Sequence, residues 1–156
     1  MNTADDLTQV YQQVVLEHSR KPKHFGRLEN ATHQAEGFNP LCGDKVSLQL
    51  EIAGDQIKAA GHETTGCAIC MASASMMTDA LGDSTVQEAT DLAAAIDAML
   101  NNEQSADKLP GMPLDALEGV KAYRSRIKCA TLPWRSLEAA LQSPVTAGDA
   151  ASVTTE

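Results

Sequence analysis

The apolar and polar positions of this chain switch period several times, and each switch marks an element. Leu7, Val10, Tyr11, Val14 and Val15 recur at the three-and-four spacing of one helical face, and Thr3 followed by Asp6 offers a start, so a first helix is expected from Ala4 to Ser19. Residues 20–40 contain Pro22, Gly26, Gly37 and Pro40 and hold no sustained period, which reads as loop with room for one short strand. From Lys45 to Ile52 the apolar Val46, Leu48, Leu50 and Ile52 alternate with polar residues, the period of a half-buried strand. Ala53-Gly54-Asp55-Gln56 supplies a turn, and a return strand from Ile57 toward Glu63 completes an antiparallel hairpin.

Beyond Gly66 the pattern becomes helical. Ala68 to Leu81 lacks Gly and Pro and puts Ile69, Ala72, Met76 and Ala80 on one face. Ser84 or Thr85, with Gln87 or Glu88 in the reciprocal position, can cap a further helix whose buried stripe is Val86, Ala89, Leu92, Ala93, Ile96, Met99 and Leu100. Residues 101–113 form a polar connection, and Leu114, Leu117, Val120 and Tyr123 resume helical spacing. Pro133 suits the first turn of a last helix capped by Thr131 and carrying Leu137 and Leu141. The order predicts an α+β fold: a small antiparallel sheet of about three strands packed against several helices. One domain is expected over residues 1–142, with a disordered tail at 143–156, where the residues are small and polar.

Composition adds few constraints. Only five aromatic residues are present, so the core must rest on aliphatic residues, Ala and Met. The formal charge of −9 is spread along the chain with no basic arm, which argues against nucleic acid as a partner. The first ten residues lack the basic start and apolar stretch of a signal peptide, and no long apolar run follows, so the expected location is cytoplasmic, without membrane attachment. In a reducing compartment four cysteines point to metal binding or thiol chemistry before structural disulfides.

Cys42 lies in the turn Asn39-Pro40-Leu41-Cys42-Gly43-Asp44, where Asp44 can bring a carboxylate to the same ion as the thiolate. Cys67 falls where the return strand ends and a helix begins, a place that favours a thiolate. Cys129 is expected at another element boundary, before the last helix. Any one of them could be a small buried hydrophobe, but three at boundaries could converge at one end of the sheet. Three thiolates and a carboxylate suit tetrahedral Zn²⁺, and thiolate-rich ligation also suits an iron-sulfur cluster. Cys67-Ala68-Ile69-Cys70 is a Cys-x-x-Cys without the βαβ framework of a redox dithiol and without a second such motif for a zinc ribbon, so Cys70 reads first as packing and second as an accessory to the site. His18 to Lys23, with Arg20 and Lys21, is a basic loop in an acidic chain, read as a solvated loop before a docking patch.

At these residues the sequence resembles the IscU/NifU-like family of iron-sulfur cluster assembly proteins. The resemblance is carried by Asn39-Pro40-x-Cys42-Gly43-Asp44, by Gly66-Cys67 with the following Met71-Ala72-Ser73-Ala74-Ser75, and by Arg126-Ile127-Lys128-Cys129-Ala130-x-Leu132-Pro133-Trp134. It is nearest the SufU branch, because the segment between Cys67 and Cys129 is long and Lys128 stands where IscU-type scaffolds have histidine. The resemblance implies a zinc-dependent sulfurtransferase that takes persulfide sulfur from a PLP-dependent, SufS-like cysteine desulfurase and serves downstream SUF scaffold proteins. It implies Zn²⁺ on Cys42, Asp44, Cys67 and Cys129, with Cys42 as sulfur acceptor. A thiolate on zinc is a muted nucleophile, so Cys42 is expected to attack once a group of the desulfurase displaces it from the metal. Arg126 and Lys128 read as accessory cations that steady the site's charge or meet the partner, or as solvated side chains. The alternative is an IscU-type scaffold holding a [2Fe-2S] cluster on the same residues, kept open by Cys70, where SufU-like proteins usually carry serine.

Overall fold

The computed structural model describes residues 3–101, 109, 113–144 and 151–154. Helix α1 (Thr3–Arg20) leads into strands β1 (His33–Asn39), β2 (Asp44–Ala53) and β3 (Gln56–Thr65), then helices α2 (Ala68–Ala80) and α3 (Val86–Asn101). Two 3-10 segments, Leu114–Ala122 and Arg124–Arg126, precede α4 (Ile127–Leu141), and β4 (Ala151–Thr154) closes the order. The strands are arranged β3-β2-β1-β4, with the first three antiparallel and β4 parallel to β1. This is the α+β sheet-and-helix architecture that the sequence predicts.

The hairpin forms as its alternation requires. Ala53 pairs with Gln56 across a two-residue turn, and Val46, Leu48 and Leu50 are fully buried on one face of β2. Each such side chain removed from water contributes about 1.5–3 kcal/mol. Leu132, Trp134, Leu137 and Ala140 of α4 belong to the same buried cluster, and α4 packs on β1 and β2. Helix α3 starts with a reciprocal cap: the Glu88 amide donates to Thr85 Oγ1 and the Thr85 amide to Glu88 Oε1, both at 3.0 Å.

Four expectations change. Helix α2 buries Cys70 and every residue from Ala72 to Thr78, not one stripe, because α1, α4 and β3 all pack against it. Its polar residues are satisfied inside: Ser73 Oγ donates to the Ala130 carbonyl at 2.7 Å and accepts from Trp134 Nε1 at 3.0 Å. The stretch 20–40 contains a full seven-residue strand, β1, whose inward positions are Ala35, Gly37 and Asn39 and therefore carry little hydrophobic signal. Gly37 is needed there, since a Cβ would fall 2.2 Å from Ser136 Oγ and 2.9 Å from Leu132 Cδ1.

The last helix begins at Ile127, six residues before Pro133, which lies inside it. Proline removes only the amide that would have bonded the Cys129 carbonyl, and the buried Leu132, Trp134 and Leu137 hold the helix together around it. Finally, within the expected disordered tail, Ala151–Thr154 is a strand on the edge of β1, with Phe38 opposite Thr154, and Pro144 bridges to His33. An edge strand needs chiefly backbone pairing, which a short segment with Val153 and Thr154 supplies without an apolar period. The rest of that expectation, at 145–150 and 155–156, lies outside the described residues. Among the described residues no helix is long and apolar enough to cross a membrane.

Candidate metal centre

Three element ends meet at one end of the sheet. The β1–β2 connection is tight: the Gly43 amide donates to the Asn39 carbonyl at 2.8 Å, the Leu41 amide to Asn39 Oδ1 at 3.2 Å, and Gly43 takes φ +73°. This turn leaves Cys42 exposed at the tip while Asp44, the first residue of β2, points inward and is fully buried. β3 ends beside it, and Gly66 carries the chain past the carboxylate at φ +142°. A Cβ on Gly66 would sit 2.2 Å from Asp44 Oδ1 and 2.9 Å from Asp44 Cα, so only glycine fits.

Cys67 is the N-cap of α2, extended at φ −74° and ψ 163°. Its amide donates to Asp44 Oδ1 at 2.9 Å, and its sulfur accepts the Cys70 amide at 3.4 Å. Cys129 lies in the first turn of α4, buried, not on a connection before the helix. Asn39, also fully buried, directs its Nδ2 to Asp44 Oδ2 at 3.4 Å and to Cys129 Sγ at 3.7 Å. The sequence marked Asn39 only as a turn residue; its position two residues before Leu41 and opposite Asp44 in the strand register is what makes it a support of the site.

The ligand atoms of Cys42, Asp44 and Cys129 all lie within 4.8 Å of one another. Cys67 stands beside this group, in side-chain contact with Cys129, with its sulfur turned to cap α2. Cys70 is fully buried in α2, near Asp44, Cys67 and Cys42. Arg126 is exposed and reaches the group from outside, with Nη1 3.9 Å from Cys42 Sγ and a hydrogen bond to Cys129 that raises its already high pKa. Lys128 is exposed in the first turn of α4 and lines a cleft of about 410 Å³ with Lys121 and Arg124.

Burial pushes the Cys129 thiol far above the usual thiol range, and Asp44, Cys67 and Cys42 add to the rise. Burial does the same to Cys70, again reinforced by Asp44, Cys67 and Cys42. A concentration of acidic donors that resist ionising together is what a bound cation reverses. Tetrahedral zinc with bonds of about 2.3 Å to sulfur sets ligand atoms roughly 3.8 Å apart, which the spacing of Cys42, Asp44 and Cys129 accommodates. The residues therefore fit a divalent, thiophilic metal.

The model of the NifU-like N terminal domain matches residues 10–130, a span that holds all four cysteines and Asp44. The chain belongs to that family. Among its relatives, the zinc-dependent sulfurtransferase SufU of Bacillus subtilis is 36% identical over 133 residues, covering 85% of this chain and 90% of SufU. The iron-sulfur cluster assembly scaffold protein IscU of Streptococcus pyogenes is 35% identical over 136 residues, covering 87% of this chain and 85% of IscU. A crystal structure of FiSufU from Fervidobacterium islandicum, described as a candidate iron-sulfur cluster assembly scaffold for the SUF system, superposes with a TM-score of 0.78 at 34% identity, over 85% of this chain and 97% of that one. The matched span runs from within α1 to the first turn of α4, where the site is assembled.

Proposed function

We propose that this chain is a zinc-dependent sulfurtransferase of iron-sulfur cluster assembly, in which Cys42 accepts sulfur from the persulfide of a PLP-dependent, SufS-like cysteine desulfurase. The observation that carries the reading is the asymmetry of the site: Cys42 is exposed while its neighbours Asp44 and Cys129 are fully buried. One thiol can be offered to a partner while the others stay anchored. Cys42, Asp44, Cys67 and Cys129 would hold Zn²⁺, which when bound keeps thiolates deprotonated and restrains their nucleophilicity.

In the transfer, the Cys42 thiolate attacks the outer sulfur of the desulfurase persulfide. The sulfur–sulfur bond of the donor breaks, the desulfurase cysteine leaves as a thiolate, and Cys42 becomes the persulfide. Arg126, 3.9 Å away, offsets the negative charge that Cys42 carries before and after the step. Asn39 and the Cys67 amide hold Asp44 in place. The sulfur then passes to downstream SUF scaffold proteins, and the setting is the cytoplasm, where thiols stay reduced.

A second reading, a scaffold that holds a [2Fe-2S] cluster on the same residues, draws support from the IscU relative at 35% identity and from the fourth thiol, Cys70, beside the group. The two readings separate in one assay. Desulfurase turnover is measured with and without the zinc-loaded chain; strong stimulation that disappears in Cys42→Ala supports sulfur transfer, and an iron-loaded chain that leaves turnover unchanged refutes it.

A further inference from the structure

The sulfur-transfer reading uses Cys42, Asp44, Cys67 and Cys129 and leaves Cys70 without a task. The local geometry gives it one. Cys67 is the N-cap of a thirteen-residue helix and Cys70 lies three residues on, so the pair spans the first turn of α2. Cys67 Sγ sits 3.4 Å from the Cys70 amide nitrogen, only two bonds from Cys70 Cβ. The sulfur already rests on the turn from which the Cys70 side chain springs, so the two thiols belong to one turn of one helix. Exposure divides the pair: Cys67 is partly exposed and open to a reagent, whereas Cys70 is fully buried.

We propose that Cys67 and Cys70 form a redox-active dithiol that closes to a disulfide on exchange with a low-molecular-weight disulfide, and that closure withdraws Cys67 from the metal-binding group. In the first step the Cys67 thiolate attacks one sulfur of the reagent R–S–S–R, whose sulfur–sulfur bond breaks and releases one thiolate. In the second, Cys70 gives up its proton to the departing group and attacks Cys67 Sγ, expelling the second RSH. Two electrons pass from the dithiol to the reagent, and no further oxidant is needed. Two equivalents of the low-molecular-weight thiol would open the disulfide again by the reverse exchange, so the metal site would be coupled to the thiol balance around it.

The first half stands apart from the zinc reading and is tested without metal. The full chain, reduced and freed of metal with EDTA, is exposed to oxidised glutathione, alkylated and digested with trypsin. The peptide 59–108 carries Cys67 and Cys70 and no other cysteine. The expected product is that peptide short of two hydrogens and unalkylated, with Cys42 and Cys129 alkylated. In Cys70→Ser the glutathione should remain on Cys67. Cross-linking of Cys67 to Cys42 or Cys129, or an alkylated Cys70 in the treated wild type, would overturn the dithiol, and the wild-type map decides this even if the variant fails to fold. The second half is read on zinc-loaded protein: zinc should be released in step with formation of the Cys67–Cys70 disulfide, and zinc retained stoichiometrically by a chain whose peptide map shows that disulfide would overturn the withdrawal of Cys67. A chain that holds no zinc would count against the zinc reading while leaving the peptide map to judge the dithiol.

Discussion

The Cys67 amide donates to Asp44 Oδ1 across 2.9 Å, tying the first turn of α2 to the first residue of β2. Through this bond the buried carboxylate gains a backbone donor, and the two element ends that carry Cys67 and Asp44 become one unit. Gly66 makes the approach possible, since any side chain there would occupy the space that Asp44 fills.

Replacing Gly66 with alanine should therefore cost stability and the site together. The added Cβ meets Asp44 Oδ1 at 2.2 Å, and the backbone holds φ +142°, a region that L-residues avoid. Overpacking of about 1–3 kcal/mol and backbone strain of similar size predict a loss of about 2–6 kcal/mol in urea unfolding. A Gly66→Ala protein as stable as the wild type would show that the close approach is not required.

Asp44→Asn separates the two tasks of the carboxylate. The amide oxygen still accepts the Cys67 N–H, while its NH₂ faces Asn39 Nδ2 where an acceptor stood, so the fold should survive with reduced stability. The negative charge is lost, and zinc affinity, measured by competition with a chromogenic chelator, should fall by at least roughly tenfold. Unchanged affinity would remove Asp44 from the metal set.

The elements with strong periodicity were legible before the structure: β2, the turn at Gly54-Asp55, α2, α3 with a reciprocal cap that the structure assigns to Thr85 and Glu88, and α1. What escaped was set by tertiary contact. β1 presents Ala35, Gly37 and Asn39 to the interior, because α4 lies too close for larger side chains, and small residues leave no hydrophobic alternation to read. Pro133 suggested a helix start, yet packing of Trp134 and Leu137 carries the helix back to Ile127 and places Cys129 within its first turn. At the site, the motifs named the cysteines and Asp44, and the structure gathers Cys42, Asp44 and Cys129 most closely. That Asn39 supports the group depends on a cross-strand pairing that no local pattern records.

Stability should fall on mild acidification, and His62 is a named cause. Its ring is fully buried, with Nε2 donating to the Lys23 carbonyl at 3.0 Å, Nδ1 accepting from Thr64 Oγ1 at 2.7 Å, and Phe25 packed edge-on at 5.4 Å. Burial holds its pKa below the ordinary 6.5, so the unfolded chain binds the proton first as pH falls. The contribution is complete above about pH 6.5 and is lost below it, toward the folded pKa, with a slope of at most about 1.4 kcal/mol per pH unit. His18 and His33, also lowered chiefly by burial, act in the same direction. Urea unfolding from about pH 7.5 to 5.5 should show a shallower decline in His62→Gln than in the wild type, and parallel curves would exclude His62 as a source.

The central claim is that Cys42 receives sulfur at a zinc site, and mass analysis of the protein after one round with its desulfurase tests it most directly. Zinc-loaded chain, desulfurase and cysteine are combined without air, trapped with an alkylating agent that preserves persulfides, and digested. The expected result is one added sulfur on the peptide carrying Cys42, with zinc stoichiometric in the protein that enters the reaction. Sulfur found on Cys67, Cys70 or Cys129 while Cys42 stays unmodified, or an acceptor purified with iron in place of zinc, would contradict the account.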